Sequence, residues 1–311
     1  MLVEEDSQFQ ADIDRTPINS LYRITRLKSL RSQQIAPQSS GSEAASHDKP
    51  AYRDIISQGI LEHADADRLV RNYLGREDHY LYDIAGTKHK DLEDIRKASP
   101  LLLTAICTVS ALQSSADDAL YRTCQGELRK RILDFLFTPV LDLEDLKGLI
   151  IASFWLSDVS WTISGLVIRR ALEVDLQSSF VAASAGAPAA AAGAQPDANH
   201  ERKKLWYLSY ICDQHLSTLY ARSPMLGSQE SILHFERYLT PDCMDNKRIM
   251  SQISLFRILR AVSDQFGGVG SNERIPPIFK PHLDSFNKQL DNWATSWLNC
   301  RCMYFPFCAL Q

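Results

Sequence analysis

Read only for apolar and polar positions, the chain keeps a beat of three to four residues. In ADADRLVRNYLG, Leu69, Val70, Tyr73 and Leu74 fall on one side of a helix. SPLLLTAICTVSAL opens with Ser99 where an N-cap belongs and Pro100 at the first helical position. It is apolar nearly all round, which predicts a helix deep in the core. DLEDLKGLIIASFWL carries acidic residues in its first turn, where they suit the helix dipole, and TISGLVIRRALEVDL continues the beat. No alternating run is bounded by a two-residue hairpin turn. The pattern predicts an all-α, multi-helix domain over residues 52–311, left incomplete at the C-terminus because the tail CRCMYFPFCALQ does not continue the helical pattern.

Two segments interrupt it. Residues 1–51 read as mostly disordered, since QQIAPQSSGSEAASHDKP is polar, small and nearly free of apolar anchors. Within them, about residues 19–31, Leu21, Ile24, Leu27 and Leu30 recur every third position, with Arg23, Arg26, Lys28 and Arg31 between. That is a short amphipathic helix with a basic face. It reads either as a helix docked on the main domain or as a basic nuclear-import or phosphate-contacting segment. The second interruption, residues 181–198, is rich in alanine but broken by Gly186, Pro188, Gly193 and Pro196, and reads as a flexible surface insertion.

The stretch from Arg202 to Pro224 joins basic residues, aromatics and an Arg-Ser-Pro turn. Leu205, Leu208, Ile211, Cys212, Leu216 and Leu219 follow helical spacing and define a buried face, with Lys203, Lys204, Asp213 and Gln214 largely off it. The helix is expected to stop near Ala221 to Ser223, ahead of Pro224. Trp206 is expected to be buried, and Arg222 to fix the turn by hydrogen-bonding helix-end carbonyls or a carboxylate.

Composition narrows the function classes. The 311 residues are 45% hydrophobic and 23% charged, enough for a substantial core. A net charge of −4 gives no electrostatic reason to expect nucleic-acid binding by the chain itself. The longest apolar runs fall short of a membrane span and no basic n-region opens the chain, which predicts a soluble intracellular protein. Seven scattered cysteines, without a C-x-x-C, predict reduced thiols. The one cluster, Cys300, Cys302 and Cys308, has no nearby histidine and makes a poor zinc site.

No H-E-x-x-H, G-x-S-x-G or P-loop pattern is present. GGVG at 267–270 lacks a following lysine and reads as a loop. Asp117 and Asp118 are adjacent, but Tyr121 occupies the place of a third carboxylate. DLEDL at 142–146 fits a helix N-terminus, and the similar DLEDI at 91–95 a polar connection. His215 reads as a polar helical residue rather than a ligand or base. The chain is therefore expected not to be an enzyme and to hold no cofactor, the alternatives being an all-α enzyme with a spatially assembled site or a helical interaction scaffold.

Several of these stretches together resemble the middle homology region of fungal zinc-cluster transcription factors. Gly59, Ile60, Ala66, Leu69, Tyr73 and Tyr80 match an early pattern; Ser99 to Cys107 match a Ser-Pro-hydrophobic helix running into Ala-Ile-Cys. Leu143, Glu144 and Trp155 match a later helix, and Gly165 to Ala171 a small-residue one. Arg202, Trp206, Tyr207, Asp213, Ser217, Arg222 and Pro224 complete the set. Ala221 and Ser223 depart from the family's Gly-Arg-Pro, and Asp175 and Gln177 stand where it favours glycine and histidine.

The resemblance implies a nuclear, all-α regulatory domain of an RNA polymerase II transcription factor. Trp206, Tyr207, Asp213, Ser217, Arg222 and Pro224 would be its structural or regulatory motif residues. Zinc and DNA contact would belong to a six-cysteine module that the chain lacks, since its first cysteine is Cys107. The partners it allows are a regulatory protein or small-molecule effector and a second copy in a homodimer, with no membrane.

Overall fold

A computed structural model describes residues 54–114, 117–137, 142–177, 180, 196–227, 229–239, 244–266 and 276–297. All of them lie within the unit Tyr52–Gln311. The helix expected at 19–31, the GGVG loop, Cys300, Cys302, Cys308 and the tail fall outside them. Among the described residues there are ten α-helices and no strand, so the fold is all-α.

Helix α1 (His63–Asn72) runs into a π turn, Tyr73–Glu77, and a 3-10 turn, Asp78–Leu81. Then come α2 (Leu92–Ala98), α3 (Pro100–Leu112), α4 (Asp118–Leu136), α5 (Leu143–Trp155) and α6 (Ser160–Glu173). After them follow α7 (Pro196–Leu219), the single turn α8 (Glu230–Leu233), α9 (Met244–Phe266) and α10 (Lys280–Trp297). The backbone of Pro196 to Ala198 belongs to α7, so the end of the alanine-rich interruption is helical; proline is well suited to a helix's first turn.

Helix α3 sits at the centre and packs against α1, α2, α4 and α5. Ser99 caps it, its Oγ accepting from the Leu102 amide at 3.0 Å while its hydroxyl donates to Asp145 on α5. Every residue from Leu101 to Ala111 is buried, which accounts for the all-round apolarity of this segment. Helix α5 crosses α3 at Gly148, where a Cβ would stand 3.0 Å from the Leu102 Cα and N. Only glycine lets the two backbones meet that closely. Helix α5 packs in turn on α6 and α7, α7 on α9, and α9 on α10.

The DLEDI segment is not a polar connection. Asp91 accepts a hydrogen bond from the Asp94 amide at 2.9 Å and so caps α2, as Asp142 caps α5 through the Glu144 amide. Helix α6 ends in a left-handed residue, Asp175, with φ 50°. The Leu176 amide reaches Ala171 O and the Asp175 amide reaches Leu172 O, each at 3.0 Å. These two bonds make a Schellman motif with Asp175 at C′. The glycine that the resemblance leads one to expect at this position would adopt the same φ without a Cβ.

Candidate functional site

The Arg202–Pro224 segment forms most of α7 and its exit turn. Burial extends beyond the expected stripe. Asp213 and Gln214 are 3% and 4% exposed, and Lys204 is largely buried, because α5, α6 and α9 all pack on this helix. Leu219 is the opposite case, 64% exposed at the last helical position. The helix ends two residues before the expected Ala221, and the cause is local. Ala221 has φ 50°, the Arg222 amide reaches Ser217 O at 2.9 Å, and the Ala221 amide reaches Thr218 O at 3.4 Å. This is a second Schellman motif, with alanine at the left-handed C′ position.

The six motif residues gather in two places. Trp206 and Tyr207, both fully buried, converge on Ser231 in α8: the Trp206 indole N–H donates to its Oγ at 3.3 Å and the Tyr207 hydroxyl to its carbonyl at 3.1 Å. Tyr207 also packs edge-on against Phe180, with centroids 5.4 Å apart. Asp213, Ser217, Arg222 and Pro224 sit at the exit turn. Asp213 accepts from the Met225 and Leu226 amides at 3.2 and 2.7 Å, and Gln214 donates to Leu226 O at 2.9 Å. Two side chains of α7 thus hold the turn that follows it. Burial raises the Asp213 pKa, and the two turn amides and Arg260 oppose that rise. Ser217 Oγ is buried with no hydrogen-bond partner among the described residues.

Arg222 does not do what its position suggested. It is exposed, and its guanidinium lies over the Trp161 ring at 4.9 Å and the Tyr220 ring at 5.9 Å. The helix-end carbonyl of Ser217 is taken by the Arg222 backbone amide instead of its side chain. Trp161, 61 positions upstream, carries no local signal that would have tied it to Arg222.

Beside the turn lies a cleft of about 470 Å³ between α4, α6 and the turn itself. Ile132, Leu136, Leu166 and Met225 give it an apolar wall, Gly165 opens its floor, and Asp213 and Arg169 are its charged members. Its volume is in the range of small-molecule pockets. Both Asp213 carboxylate oxygens on this cleft are engaged with turn amides, Oδ1 with that of Met225 and Oδ2 with that of Leu226.

Two charged groupings escaped the sequence reading because their members are distant in the chain. Glu144 is buried and accepts from Lys88 Nζ at 2.7 Å and pairs with His89 Nε2 at 2.8 Å and Lys147 Nζ at 3.1 Å. Burial alone would raise its pKa, but Lys147, Lys88 and His89 outweigh that and hold it at about 2. In the other grouping Lys204 bonds the Tyr82 carbonyl and Asp245, while Arg248 donates to His79 O at 2.9 Å and lies 4.5 Å over the Tyr82 ring. Asp117 pairs with Arg68 at 2.8 Å. Half-buried His215 is pushed down to about 4 by burial and faces Phe256 edge-on, so near neutral pH it is an uncharged packing residue.

Among the described residues no group of three His, Cys, Asp or Glu side chains could hold a metal ion. Cys107, Cys124 and Cys212 are buried free thiols, and burial raises the pKa of each. Among the described residues no helix is long and apolar enough to cross a membrane.

Residues 77–295 match the family described as the fungal specific transcription factor domain. The chain is also similar to the transcriptional activator of proteases prtT of Emericella nidulans, 29% identical over 284 residues, covering 90% of this chain and 40% of the relative. The chain thus spans less than half the length of that curated relative. No solved structure matches.

Proposed function

The chain belongs to the fungal specific transcription factor domain family, regulatory domains of fungal transcription factors, and on that premise we propose that it modulates transcriptional activation in the nucleus. The observation that carries this reading is the family match over residues 77–295, which runs from the π turn into α10. The relative is a transcriptional activator of proteases, and genes of the same kind are the proposed targets. DNA contact would be made by a separate zinc-cluster module, zinc serving there and not in this domain.

The cleft beside the exit turn is the proposed seat of a regulatory input. An apolar effector there would touch α4, α6 and the turn at once, and so favour one packing of these elements over another. Gly165→Leu tests this, since a Cβ at Gly165 meets nothing nearer than Met225 Sδ at 3.5 Å and the longer side chain would fill the space. In the full-length factor, a protease-promoter reporter is expected to shift by about fivefold or more, with protein level and melting temperature unchanged. Unchanged reporter output would remove the cleft from the regulatory mechanism.

A further inference from the structure

A different set of elements, the end of α1, the π turn and the C-terminal end of α3, lines a second, open cleft of about 360 Å³. Its chemistry is unlike that of the apolar one. Arg71, Arg76, Glu77, Ser110 and Gln113 are among its lining residues. Glu77 and Ser110 are 4% and 3% exposed. Glu77 Oε2 and Ser110 Oγ are buried and have no hydrogen-bond partner among the described residues. Two such oxygens on one cleft, one of them a carboxylate oxygen, leave an unmet demand for donors.

The two arginines differ. Arg71 is already paired with Asp67, whereas Arg76 is exposed with no ion pair among the described residues. The cleft therefore offers a buried acceptor pair and, beside it, an exposed guanidinium that already acts electrostatically on Glu77 and is suited to a carboxylate. The π turn places both sides of this arrangement, because Arg76 and Glu77 are its last two residues and Glu77 turns inward. Single π turns inside helical segments recur at functional sites.

We propose that this cleft binds a small zwitterion of the α-amino acid type, its ammonium group donating to Glu77 and Ser110 and its carboxylate meeting Arg76. The ammonium supplies the donors that the two oxygens lack. A simple anion would leave them unmet and face the Glu77 carboxylate; a simple amine would leave Arg76 unused. Burial raises the Glu77 pKa against the opposing pull of Arg76, and an ammonium beside it would favour the ionised form. This site is independent of the apolar cleft and of any role given to it.

Isothermal titration calorimetry on the whole chain tests the proposal, with glycine, L-alanine and L-leucine as probes and acetate and methylammonium as half-ligands. At least one amino acid is expected to bind, with each half-ligand at least about tenfold weaker. Glu77→Gln and Arg76→Ala are each expected to weaken the amino acid by about tenfold or more while leaving the thermal melt without ligand unchanged. If Glu77→Gln unfolds the chain, Arg76→Ala alone decides, because Arg76 is exposed. No heat from any amino acid at about 10 mM would overturn the proposal, showing that water alone meets the two oxygens. Half-ligands binding as tightly as the amino acids, or an Arg76→Ala variant with unchanged affinity, would overturn it equally.

Discussion

Replacing Ala221 by glycine is expected to stabilise the protein. Ala221 stands at the C′ position of α7 with φ 50°, held there by the Arg222 amide on Ser217 O and its own amide on Thr218 O. An L-residue with a Cβ in the left-handed region loses roughly 1–2 kcal/mol against the same residue in the right-handed region. Glycine avoids that cost but adds backbone freedom to the unfolded chain, which takes back roughly 0.5–1 kcal/mol. Ala221 is exposed, so removing its methyl forfeits little packing. The net expectation is a gain of roughly 0.5–1 kcal/mol. With an m-value of about 3 kcal/mol/M in urea, the midpoint should rise by roughly 0.2–0.3 M at unchanged m. Ala221→Val, β-branched at the same φ, should fall below the wild type. An Ala221→Gly midpoint equal to or lower than that of the wild type, measured by urea titration of far-UV circular dichroism, would refute the reasoning. Asp175→Gly, at the matching position of α6, should gain less because aspartate tolerates the left-handed region better.

Gly148→Ala should cost roughly 1–3 kcal/mol in the same titration, since the new Cβ meets the Leu101–Leu102 backbone, which cannot swing aside. Trp206→Ala should cost roughly 3–5 kcal/mol, as it empties a fully buried site, whereas Arg222→Ala should cost less than about 1 kcal/mol because its ring stack is exposed. Glu144, depressed from 4.5 to about 2 in the folded state, contributes stability that is present above pH 4.5 and lost as pH falls toward 2. Across that window it accounts for roughly 3 kcal/mol of the acid loss. Glu144→Gln should flatten that part of the stability–pH curve, and a curve as steep as the wild type's would contradict the ion cluster.

The helices were legible where a local rule decides them. Ser99 and Pro100 announce α3, and the Leu205-to-Leu216 spacing announces α7, because capping and periodicity act within a few residues. The DLEDI helix start was missed because a seven-residue helix shows too little periodicity to expose its cap. Asp213 was legible as a member of a motif, but not as the residue that holds the Met225–Leu226 amides, a contact formed only once the chain reverses. The Trp161–Arg222 stack and the Glu144–His89 pair join residues 61 and 55 positions apart, and nothing in spacing anticipates them. The two departures from family glycines, Asp175 and Ala221, were visible as letters. Their meaning, a left-handed residue closing a helix, needed the backbone.

The central claim, that this domain regulates transcription, is tested most directly by removing residues 54–297 from the protein in its host and measuring transcripts genome-wide together with promoter occupancy. A regulatory domain is expected to leave occupancy in place while transcript levels change by about fivefold or more in either direction. Transcripts identical to those of the intact factor, at equal protein level and occupancy, would contradict the claim.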